Sequence, residues 1–131
     1  MNSARIPKLE DGPLLNRNPI AFSFKYLHSS GKFCVEECSR EFLVGLLQEI
    51  KRLSTLSVAD FCDYDNERHS HHIDFQRTSE PNGFTDLGEQ IEPDAFWQFA
   101  VKPKSLWRVH GFFIESTFYV VWLDEHHLLD T

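Results

Sequence analysis

LWRVHGFFIESTFYVVWL, residues 106–123, decides the fold. Two runs rich in aromatic and β-branched side chains, Leu106 to Ile114 and Thr117 to Leu123, flank the polar pair Glu115-Ser116. Such runs around a short polar break predict an antiparallel hairpin. With Glu115-Ser116 as the loop, Phe113 faces Phe118, Gly111 faces Val120 and Val109 faces Trp122. Those side chains form the expected core face. The reverse side pairs Phe112 with Tyr119, His110 with Val121 and Arg108 with Leu123.

Upstream, the aromatic run Ala95 to Val101 predicts another strand, closed by the break Lys102-Pro103-Lys104-Ser105. Phe42, Leu43, Leu46, Leu47, Ile50 and Leu53 recur at helical spacing and predict a helix over about 39–53. Ser39 is its natural N-cap, and Lys51 and Arg52 suit its last turn. Gly45 disfavours that helix by about 1 kcal/mol relative to Ala, so a close neighbour is expected there. Ser57-Val58-Ala59-Asp60 has the form of a capping box and predicts a short second helix ending near Asp65. In Ile20 to His28, Phe22, Phe24 and Tyr26 alternate with polar residues and predict a strand with those rings on one side. Lys32 to Val35, and Ile73 with Phe75, are candidates for short strands. Residues 65–94 otherwise suggest a long loop, with a turn at Pro81-Asn82-Gly83.

The expected fold class is therefore α+β: an antiparallel sheet with a C-terminal hairpin, packed against one long and one short N-terminal helix. The 131 residues suit one domain over 19–131, preceded by an arm over 1–18 that Pro7 and Pro13 keep extended. Twelve Phe, three Trp and three Tyr supply a ring-rich core. No apolar run approaches the roughly 18 residues of a membrane span, and the N-terminus lacks the apolar stretch of a signal peptide. The three cysteines make a poor disulfide framework. A cytoplasmic protein is the expectation.

Charge bears on function. The net charge is −7, and residues 36–100 hold fourteen acidic against five basic side chains. That segment makes a poor surface for nucleic acid, which is held through basic groups.

The reverse face of the hairpin groups Arg108, His110 and Tyr119, with His126 just beyond. A guanidinium can hold phosphate, an imidazole can carry a proton near neutral pH, and a phenol can donate or stack. The trio could equally be structural, and His126 could belong to a frayed end. His69, His71 and His72 are the densest histidine group, and His-x-His on a strand places both rings on one face. They are the candidate metal ligands, although a surface histidine cluster explains them as well and no established zinc spacing is present. Arg68 and Arg77 flank that group as candidate anion contacts or as partners of nearby carboxylates. No Gly-rich phosphate loop or nucleophile elbow occurs, so no cofactor is expected.

The ending Arg108-Val109-His110-Gly111-Phe112, then Phe118-Tyr119-Val120-Val121-Trp122-Leu123-Asp124 and His126, resembles that of a group of small bacterial proteins. Its layout, helices followed by an antiparallel sheet with basic and His or Tyr residues near the C-terminus, is similar to RelE/ParE-like toxins. The resemblance implies a metal-independent endoribonuclease acting on RNA and restrained by a protein antitoxin. Arg108 would hold the phosphate, and His110, Tyr119 or His126 would move the protons. The alternative is a non-catalytic protein-interaction module of a bacterial or mobile-element system.

Overall fold

A computed structural model describes residues 17–63, 70–85, 87–88, 90–102 and 104–129. Among these residues five strands form one sheet: β1 (Ala21–Ser23), β2 (His71–His72), β3 (Phe96–Ala100), β4 (Arg108–Ile114) and β5 (Thr117–Asp124). Their spatial order is β1-β5-β4-β3-β2. Every neighbouring pair is antiparallel except β1 with β5. The α-helices α1 (Arg40–Leu53) and α2 (Val58–Cys62) lie between β1 and β2 in the chain. The α+β class with a terminal hairpin is the architecture observed. No helix among the described residues is long and apolar enough to cross a membrane.

The local signals explain the helices. The Ser39 hydroxyl accepts from the Phe42 N–H at 3.0 Å, and Glu125 beyond β5 accepts from the Ser39 N–H at 2.6 Å. The end of the sheet thus ties down the start of α1. Ser57 and Asp60 form the reciprocal capping box, at 3.1 and 3.2 Å. The neighbour expected at Gly45 is present: a Cβ there would stand 3.2 Å from Val101 and 3.5 Å from Trp107.

One face of the sheet packs on the helices. Phe61 of α2 sits at its centre, with ring centroids 5.3 Å from Phe113, 5.9 Å from Phe118 and 6.0 Å from Phe99. The opposite face is roofed by irregular chain. Phe33 stacks on Trp122 at 4.5 Å, Phe84 meets Trp122 at 4.8 Å, and Tyr26 lies 5.7 Å from Phe112. Both faces are therefore covered.

Several expectations need correction. β1 stops at Ser23 because the chain turns at Lys25-Tyr26, where the Leu27 N–H bonds the Phe24 carbonyl. Phe22 consequently packs on the helix face, Tyr26 on the other, and Phe24 is exposed. Lys32 to Val35 forms no strand, although the Phe33 carbonyl accepts from the Leu123 N–H. The strand placed at Ile73 and Phe75 is instead at His71–His72, and Phe75 opens a 3-10 turn. Helix α2 ends at Cys62. Of the arm over 1–18, only Arg17 and Asn18 fall within the described residues.

The hairpin register is the correction that matters most. Phe113 faces Phe118, Phe112 faces Tyr119 and Gly111 faces Val120, as the two-residue loop requires. Between His110 and Gly111 the register then slips by one, so Val121 is an extra residue on β5. His110 therefore faces Trp122, Val109 faces Leu123, and Arg108 faces Asp124. Trp122 leaves the expected core face for the roofed one, and Leu123 takes its place. The Val121 carbonyl, turned off the ladder, accepts from the His28 N–H at 3.1 Å.

Candidate functional site

The roofed face carries a row of polar groups, to which the bulge adds Asp124. Register places His71, Gln98, His110 and Trp122 side by side across β2, β3, β4 and β5. Arg108 and Asp124 form the next pair along. Gln98, His110 and Asp124 are almost fully enclosed.

His110 Nε2 lies 3.1 Å from Asp124 Oδ2. The same carboxylate accepts from the backbone N–H groups of Leu128 at 2.7 Å and Leu129 at 2.9 Å. Burial pushes the His110 imidazole below its usual range, against the opposing pull of Asp124. Burial alone would raise the Asp124 carboxyl, but the hydrogen bonds from His110, Leu128 and Leu129 outweigh it and hold it low. The pair at neutral pH is a neutral imidazole donating to a carboxylate, which in turn pins the C-terminal turn and buries Leu129. Arg108 is spent differently: one guanidinium nitrogen donates to the carbonyls of Ser105, at 2.7 Å, and Trp107, at 3.0 Å. It clamps the connection between β3 and β4.

The sequence expectation of a catalytic Arg108, His110, Tyr119 and His126 is met in placement for the first three and not in access. Arg108, His110 and Tyr119 share one sheet face, but the His110 side chain has no exposure and Arg108 faces backbone carbonyls. The Tyr119 ring stacks on Phe112 at 5.1 Å. His126 is exposed beyond the end of β5. A proton shuttle needs hydrogen-bond reach to a substrate, and the roof over His110 denies it.

The other candidates do not converge. His71 and His72 are adjacent on β2 and therefore point to opposite faces. His71 Nε2 is 2.9 Å from Gln98 Nε2, and His72 Nε2 is 2.7 Å from the Pro93 carbonyl. His69 and Arg68 lie outside the described residues. Among the described residues no group of three His, Cys, Asp or Glu side chains could hold a metal ion. Arg77 is exposed and faces Asp74 at 3.6 Å, the carboxylate pairing weighed above.

An accessible feature lies on α1. Arg40, Val44, Leu47 and Lys51 recur at i, i+4, i+7 and i+11, forming one stripe on the outer side of the helix. All four are exposed; Leu47 at 65% and Val44 at 42% are apolar surface that the fold does not cover. Leu47 was expected in the buried stripe, and the core instead takes Phe42, Leu46 and Leu53. Among the described residues, Arg40 and Lys51 make no ion pair. Beside the stripe, a groove of about 530 Å³ is lined by Val44, Gly45 and Gln48 of α1 with Val101, Lys102 and Trp107 across it. Sequence reasoning missed this surface, yet Val44 carried the signal: it is an apolar residue lying outside the arc of the buried stripe.

Comparison with family models, with curated proteins and with solved structures returned no match to this chain.

Proposed function

We propose that this protein is a non-catalytic interaction module that docks an apolar, carboxylate-flanked segment of a protein partner along the outer stripe of α1. The single observation that carries this reading is the stripe itself: two uncovered aliphatic side chains with a cation at each end and neither cation paired within the described residues. Arg40 and Lys51 are separated by about 16 Å along the helix axis, at 1.5 Å per residue. That span suits three turns of a helix, or a short extended strand, with acidic residues at its ends. The groove against Trp107 can take one large side chain from such a segment, which is how interfaces commonly anchor. The charge of the stripe is opposite to the net charge of −7, so a partner aligned on it is held locally rather than by the overall field. This reading takes the place of the endoribonuclease expectation, which needs an imidazole that substrate can reach.

The test is co-purification of the tagged chain from its source cells, set against Val44→Asp/Leu47→Asp. Both substitutions replace exposed side chains, so thermal unfolding should be unchanged within about 0.5 kcal/mol. The expected result is one stoichiometric protein partner with the wild type, weakened by salt and absent with the variant. A wild type that purifies alone, or a variant that keeps every companion, overturns the reading.

A further inference from the structure

Among the described residues, three buried polar atoms on the roofed face have no hydrogen-bond partner: Gln98 Oε1, His110 Nδ1 and Arg108 Nε. They belong to one neighbourhood. Gln98 and His110 face each other across β3 and β4, and Arg108 is the next residue of β4 on the same side. Leaving three such atoms bare would cost on the order of 1–3 kcal/mol each.

The donor and acceptor roles are fixed by the groups around them. His110 Nε2 faces the Asp124 carboxylate, so it carries the proton, and in the neutral ring Nδ1 is then a lone-pair acceptor. The Gln98 amide nitrogen can only donate, which sets the role of the His71 ring nitrogen it faces. His71 Nε2 is therefore an acceptor, and the Gln98 NH₂ group donates to it at 2.9 Å. That orientation turns Gln98 Oε1, an acceptor, away from His71. Arg108 Nε is a donor without alternative.

Two acceptors and one donor define a guest that gives two hydrogen bonds and takes one. We propose that the sheet binds one buried water molecule between Gln98 Oε1, His110 Nδ1 and Arg108 Nε, completing a hydrogen-bonded line from His71 on β2 to Asp124 at the end of β5. Water donates to Gln98 Oε1 and His110 Nδ1 and accepts from Arg108 Nε–H. Three bonds is the usual complement of an internal water. Chloride cannot donate to the two acceptors, and ammonium cannot accept from the guanidinium. The polarity of the site thus selects a neutral guest with both capacities. The line then runs without a break in donor and acceptor sense: Gln98 to His71, water to Gln98 and to His110, His110 to Asp124. Asp124 at its end also holds Leu128 and Leu129.

A crystal structure at about 1.5 Å or better tests the site directly. It should show one water peak within about 2.7–3.2 Å of all three atoms. Nitrogen-15 spectra of the imidazoles at pH 7 should show His110 protonated at Nε2 and bare at Nδ1, with a cross-peak to a long-lived water. In Gln98→Met, which keeps the length and removes the amide, that cross-peak should be lost while the His110 tautomer is kept. A halide or no density at the position, direct pairing among the three atoms, or a His110 protonated at Nδ1 would overturn the proposal.

Discussion

His110 and Asp124, fourteen residues apart and on neighbouring strands, meet at 3.1 Å with both side chains fully enclosed. Their meeting depends on the extra residue Val121, which turns Asp124 to the face that His110 occupies. Removing the carboxylate strips the partner from one imidazole N–H and two backbone N–H groups at once. Asp124→Ala should therefore lower stability by about 1–3 kcal/mol for each buried donor left without a partner. Asp124→Asn keeps acceptor capacity without the charge and should cost less. Urea unfolding followed by tryptophan fluorescence measures both, since Trp122 neighbours His110 at 6.2 Å.

The same pair sets a pH dependence. His110 in the folded protein binds its proton less readily than in the unfolded chain, whose ordinary value is 6.5. Between the folded value and 6.5 the unfolded state holds more protons, so stability rises with pH in that window. It should be complete above about pH 6.5 and fall as the pH drops below it. Asp124 adds a second loss below its ordinary 3.8, because its folded carboxyl titrates lower still. The groups that bear on His110 are Asp124, Arg108 and His127. A series of unfolding midpoints from pH 8 to pH 5 should slope downward in the wild type, and His110→Gln should flatten that slope. Parallel slopes in the two proteins would assign the effect to other histidines.

Much of this fold was legible because its signals are local. The Ser57-Asp60 box, the Ser39 cap and the Glu115-Ser116 loop depend on neighbours in the chain, and each stands where the sequence placed it. The bulge does not have that character. Val120-Val121-Trp122 is uniformly apolar, so no polar position marks where the alternation breaks. The site inherited that error: Arg108, His110 and Tyr119 were correctly grouped on one side, but the partner Asp124 and the roof of Phe33, Phe75 and Phe84 come from distant segments. Burial of the imidazole is a tertiary fact that strand alternation alone does not contain.

Thiol chemistry offers an independent check on burial. Burial pushes the Cys62 thiol up to about 12. Burial and the nearby carboxylate of Glu125 push the Cys38 thiol up to about 11. Since the thiolate is the reactive form, neither should be labelled at neutral pH at the rate of a free thiol. Mass spectrometry after brief treatment with a maleimide should find both largely unmodified in the folded protein and fully modified in urea. Rapid labelling of Cys62 without denaturant would show that α2 opens readily.

Two glycines should respond oppositely to a single added methyl group. At Gly111 a Cβ would stand 2.1 Å from the Tyr119 carbonyl oxygen and 2.8 Å from the Phe118 ring, both parts of the tightly paired hairpin. The backbone on either side is laddered between β3 and β5 and cannot withdraw, so Gly111→Ala forces the bulge apart. The expected loss is about 3 kcal/mol, at the upper end for overpacking a core. At Gly45 the nearest atom is a Val101 methyl at 3.2 Å, with open groove alongside. That contact can relax by a few tenths of an ångström, and the helix gains about 1 kcal/mol of propensity from Ala. Gly45→Ala should therefore leave stability unchanged or slightly raised. Thermal melts of the two variants beside the wild type decide the matter: a Gly111→Ala protein that melts with the wild type would refute the bulged register on which the His110–Asp124 pair depends.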